Sequence, residues 1–344
     1  MSVRTIPTML LAAAIPMAAG AQDGGTTMTQ LFDGAQTGRN TTILNGGAMG
    51  ALTVGGPGLS GRQTALAQSG TNAANVMMTE GIRVRAATQR LVGTQTVENA
   101  LLAESGLGGA SIEQTGQNIA NVIAAQQVDR ISQAFGPGAE QSVANRFAST
   151  APAGELRQEG LNVANVVTAS ISIGAGEQLF PADSVQRVVN DASSAVDIRQ
   201  DGTNVGNVLV ADEIRDVARI FTGEQVVTNT FDAAGGIPVS LNQNGVNIAN
   251  FVEARTVTNL TQISEGSQTV ENVLVGTTLA DLDASGTAYS QGSTNLVNVL
   301  SIRPSPGGAG GEVSAVQGAS QDQSAVGIGQ GAHGQVGNAA AIER

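Results

Sequence analysis

Residues 158–166 read QEGLNVANV, and the frame Gln-x-Gly-x-Asn returns as QSGTNAANV at 68–76, QTGQNIANV at 114–122, QDGTNVGNV at 200–208 and QNGVNIANF at 243–251. Gln, Gly and Asn stand at i, i+2 and i+4. In an extended chain those positions share one face, because strand side chains alternate with period two. The row continues upstream to Leu66, Ile112, Leu156, Ile198 and Leu241, and downstream to Ala74, Ala120, Ala164, Gly206 and Ala249. The other row carries charge near the Gln: Glu113, Arg157 with Glu159, and Arg199 with Asp201. This alternation predicts strands whose inward row is aliphatic-Gln-Gly-Asn-small.

A second set lies between the first. QTVEN at 95, QSVAN at 141, QVVTN at 225 and QTVEN at 268 replace Gly by Val, while QTGRN at 36 and QGSTN at 291 extend the series. DSVQR at 183 occupies the one vacant place as a degraded copy. The spacing averages about 23 residues and alternates long and short, so the larger unit of about 44 is a pair; such self-similarity marks a solenoid. An inward amide is costly alone, since it gives up its hydrogen bonds to water. Stacked on an identical amide one rung away, at about 4.8 Å, it donates to one neighbour and accepts from the other. Ladder positions are therefore assigned to Gln68 and Asn72, Gln114 and Asn118, Gln158 and Asn162, Gln200 and Asn204, Gln243 and Asn247, and Gln291 and Asn295. The second Asn of each copy (75, 121, 165, 207, 250, 298) breaks the alternation and suits a corner.

The fold expected is an all-β solenoid of about 23-residue coils, some twelve of them. The alternative is a repeat mixing strands with short helices. Ile214, Val217, Ala218 and Phe221 in ADEIRDVARIF (211–221) fall at helical spacing, and NIANVIAAQQVDRISQAF (118–135) is Ala-rich.

Composition narrows the function. Aromatics are 2% of 344 residues, with no Trp and only Tyr289, so a thin core of Val, Ile, Leu and Ala replaces the usual aromatic one. All sixteen basic residues are Arg, and the net charge of −12 disfavours nucleic acid and anionic membranes as partners. With no Cys there is neither disulfide nor thiolate metal site, and no cofactor is expected. Arg4, the apolar run 8–19 and the small residues Ala19 and Ala21 match a secretory signal peptide over 1–21. A Gly/Thr-rich segment follows (22–62, with GGPGLSG at 55–61), then the repeats (63–303), a Pro/Gly linker (304–311) and a tail (312–344). In the tail, QGASQDQSAVGI and QGAHGQVGNAAAI read as shorter copies forming a terminal strand pair or cap.

Gln-x-Gly-x-Asn-x-Ala at this period on an exported Gly/Asn/Gln-rich chain resembles the curlin repeats of curli subunits, the functional amyloid of bacterial surfaces. Curlin usually has one more residue between Gly and Asn, and the alternation of two motif types is a further departure. The resemblance implies a cross-β solenoid, export through an outer-membrane channel, and a place at the surface of a Gram-negative bacterium. It also implies adhesion or biofilm matrix as the role, with other matrix subunits, copies of itself as fibres, or a surface polysaccharide as partners. A neighbouring family, the holdfast anchors of stalked alphaproteobacteria, shares it.

Signals for catalysis are sparse. His333 is the sole His and stands in a Gly-rich tail, where a turn is expected. Gly329, Gly331 and Gly334 spell G-x-G-x-x-G without a βαβ context. DLDASG (281–286) opens like a calcium loop but has Gly292 where a bidentate Glu is required, so a turn is expected. Asp191, Asp197, Asp212, Glu213 and Asp216 form the densest carboxylate group and carry the alternative reading, a β-helical polysaccharide lyase or hydrolase. The primary expectation is a structural protein, not an enzyme.

Overall fold

A computed structural model describes residues 26–44, 65–79, 81–103, 109–150, 153–277, 279–304, 313–319, 322–326, 333–336 and 339–342. The stretch 1–21, expected to be a signal peptide, and the 55–61 segment lie outside the described residues. Among the described residues strands dominate, their pairings are parallel, and one short α-helix, Leu279–Ser285, is present. The chain is an all-β solenoid.

Gln114 pairs with Gln68 and with Gln158, and never with the intervening Gln95 or Gln141. The steps along this column are 46, 44, 42, 43 and 48 residues. The 23-residue repeat is therefore half a coil, and the pair of motifs is the coil. At about 4.8 Å per coil the described solenoid is on the order of 35 Å long, shorter and broader than twelve small coils would be.

Each coil has four faces. In the second coil the Gln-x-Gly-x-Asn face is the first part of Ser111–Phe135. A short face follows from Val122, a third face runs from Gln127 to Phe135, and the fourth is Glu140–Ser149 with its Gln-x-Val-x-Asn motif. The first corner falls on the second Asn: Asn75, Asn121, Asn165 and Asn298 have φ of 53°, 52°, 52° and 49°, a left-handed conformation that Asn tolerates.

Both stretches with helical spacing are extended. Ile214, Val217 and Phe221 are all buried on the strand Glu213–Phe221. Asp216, at φ 52°, bends the backbone between Ile214 and Val217 and adds a residue to the period, which imitates an i, i+3 helical step. The segment 118–135 belongs to one long bent strand. In the tail, Val313–Ala319, Asp322–Val326, His333–Val336 and Ala339–Ile342 pair in parallel with the preceding coil and continue the stack. His333 is thus in a strand, not a turn, and residues 281–285 are helical.

Candidate functional site

The chemistry of this molecule lies in its bore. On the first face Gln114, Gln158, Gln200, Gln243 and Gln291 each donate Nε2 to Oε1 of the Gln one coil earlier, at 2.7, 2.8, 2.8, 2.8 and 2.6 Å, starting from Gln68. Asn72, Asn118, Asn162, Asn204 and Asn247 donate Nδ2 to the next Asn, ending at Asn295, at 2.9 to 3.0 Å. All twelve are buried.

Each amide also spans the bore. Gln158 Nε2 reaches the carbonyl of Asn145 at 3.1 Å and that of Asp191 at 3.0 Å, while Asn162 Nδ2 reaches Arg187 O at 2.9 Å. These bonds tie the first face to the fourth and satisfy donors that the enclosed space would otherwise strand.

The alternation of Gly and Val follows from the same opposition. A Cβ placed on Gly116, Gly160, Gly202 or Gly245 would lie 2.3, 2.2, 2.3 or 2.2 Å from a methyl of Val143, Val188, Val227 or Val270. The valine column fills the groove that the glycine column leaves, so the two motifs are complementary halves of one cross-section. In the sixth coil Ser293 replaces the Gly, and the opposing register position holds Ala325 where earlier coils have Val.

Two elements of the bore escaped the sequence reading. The vacant place is filled by QRVVN at 186–190, not by DSVQR. Gln186 donates to Gln141 at 2.8 Å and accepts from Gln225 at 2.8 Å, and Asn145 donates to Asn190 at 2.9 Å. The third face carries a further ladder, Gln30, Gln89, Gln133 and Gln178, linked at 2.6, 2.7 and 2.7 Å. Its sequence signal is a Gln six to eight residues before the fourth-face Gln in every described coil but the fourth, with no Asn four residues on. Beside it Phe135, Phe180 and Phe221 stack with ring centroids 4.7 Å apart, close to the spacing of the strands themselves.

The outer surface is ordinary by comparison. Arg157 pairs with Glu159, and Arg199 with Asp201 at 2.5 Å, both with an exposed Arg. The five carboxylates of the lyase reading are spread over several strands and corners. Asp212 pairs with Arg255 and Arg303, Glu213 with Arg215, Asp216 accepts from Asn259, and Asp197 from Ser240. Burial pushes the Asp191 carboxyl up, with Arg146 opposing and Asp232 adding to the shift. Among the described residues no three His, Cys, Asp or Glu side chains gather as a metal site. No described helix is long and apolar enough to cross a membrane.

Among the described residues the ends of the stack are half coils. At one end Thr26–Leu44 supplies third and fourth faces only, pairing with Arg83–Ala103. At the other, His333–Val336 and Ala339–Ile342 supply first and short faces only. Between them stand six complete coils among the described residues. Gln291 Oε1, at the end of the first-face ladder, is buried without a partner. No family model, curated protein or solved structure matches this chain.

Proposed function

We propose that this chain is an exported, non-catalytic structural protein of the bacterial cell surface, which links copies of itself, other matrix subunits or a surface polymer into an adhesive layer. The observation that carries the reading is the pair of complementary half coils. Among the described residues the faces present at one end are those absent at the other, so a second copy set head to tail would complete one coil and continue the third- and fourth-face strands in register. An unpaired strand edge templates such addition. Low charge and Gln/Asn-rich strands suit cross-β stacking. The curlin-like motif and the leader-like N-terminus favour the surface as the place where this happens.

Deletion of the gene should abolish surface attachment, and antibody should label the intact cells of the parent strain. Fibres of the purified protein should give a diffraction repeat of about 4.7–4.8 Å. Cleavage of a polyuronic polymer by the purified protein, lost on replacing Asp212 and Asp216, would overturn the reading in favour of a lyase or hydrolase.

A further inference from the structure

Arg219 occupies the third-face ladder where every other described coil has Gln, in register with Gln178 on one side and Gln262 on the other. It is fully buried. Its Nε donates to Gln178 Oε1 at 3.0 Å, whereas Nη1 and Nη2 have no partner. Burial pushes its pKa well below the ordinary guanidinium value, by desolvation. A guanidinium holds its proton in proteins, so the position carries a positive charge with no carboxylate against it among the described residues.

The disturbance reaches the next coil. Gln89, Gln133, Gln178 and Gln317 each donate to the carbonyl of the corner Asn at 2.6 Å, but Gln262 reaches Asn250 O only at 3.4 Å. Arg219 offers no acceptor for the hydrogen that Gln262 would direct down the ladder, so donors face donors. The same level is short of bulk. Ser264 stands in register with Phe221, where the three preceding coils stack Phe on Phe. The loss of a benzyl group is larger than the ~30 Å³ that a water occupies in the liquid.

We propose that Arg219 and Gln262 enclose a site for one small monovalent anion, of the halide class, inside the solenoid. One negative charge balances one guanidinium, and a halide accepts from several N–H donors without needing a donor of its own. A water would satisfy donors but leave the charge uncompensated, and a divalent oxyanion would reverse the imbalance.

The full mature chain is equilibrated in sodium bromide, crystallised and measured at the bromine edge. An anomalous peak within hydrogen-bonding reach of Arg219 Nη and Gln262 Nε2 is expected. In parallel, the thermal midpoint is followed against sodium chloride, with sodium gluconate holding ionic strength constant. The wild-type midpoint should climb with the logarithm of chloride concentration, as for any ligand of the native state. Arg219→Gln, which restores the ladder residue, should melt above wild type in gluconate and show no slope with chloride. No anomalous peak at Arg219, with a wild-type midpoint indifferent to chloride, would overturn the proposal.

Discussion

Between the fourth and fifth coils two ladders take the same step. On the first face Gln243 donates to Gln200 at 2.8 Å and also reaches Asn229 O at 3.1 Å. On the third face Gln262 still accepts from Gln317 at 2.8 Å, but its Nε2 meets Arg219 and keeps one bond, of 3.4 Å to Asn250 O. The backbone register is continuous in both places. What differs is the chemistry of the neighbour: an amide is at once donor and acceptor, and a guanidinium only donates. A buried amide is thus tolerated here because of what lies one coil away, and its stability belongs to the column and not to the residue.

The sharpest way to break the intact column is Asn162→Asp. A carboxylate there would face Asn118 Nδ2 as an acceptor but could offer nothing to Asn204 Oδ1 or Arg187 O, and its charge would be buried unpaired. A loss of about 3–5 kcal/mol is expected, the range for an uncompensated buried charge, read from denaturant midpoints. A midpoint equal to wild type would mean the position meets water. Gly160→Ala comes next, at about 1–3 kcal/mol as an overpacked core, because the new methyl overlaps Val188. Combining it with Val188→Ala should recover part of the loss. Simple additivity in that double-mutant cycle would deny the complementarity of the two motifs. The mildest is Gln158→Leu, about 1–2 kcal/mol for stranded partners. Gln114 Oε1 and the carbonyls of Asn145 and Asp191 lose a donor, but no charge is buried. If Leu proved as damaging as Asp, charge would not be what the column excludes.

Much of this was legible from the repeat. Gln114, Asn118 and Gly116 announced their shared face by spacing alone, and the αL corner at Asn121 by breaking it. Coil length was not, because first and fourth faces carry nearly the same motif, and only the opposition of Gly160 to Val188 shows that they are two sides of one turn. The third face stayed hidden because Gln89 and Gln133 have no Asn four residues on, and because the bend near Asp216 made a strand mimic a helix. Arg219 could not be read as buried from sequence: a basic residue in Arg-Asp-Val-Ala-Arg looks solvated until the ladder on either side of it is known.

The direction of the amide bonds has a consequence of its own. In the three Gln columns the side chains donate toward the earlier coil, Gln262 beside Arg219 excepted, as Gln158 does to Gln114, Gln141 to Gln95 and Gln133 to Gln89. In the three Asn columns each donates toward the later coil, as Asn118 does to Asn162, Asn145 to Asn190 and Asn121 to Asn165. The bonds to backbone carbonyls hold both orientations in place. Three rows of side-chain dipoles thus run one way along the axis and three the other. In an α-helix aligned peptide dipoles add to a net end charge; here the side-chain contributions oppose coil by coil. Lengthening the rod, whether by further coils or by another copy, accumulates little electrical moment from its interior.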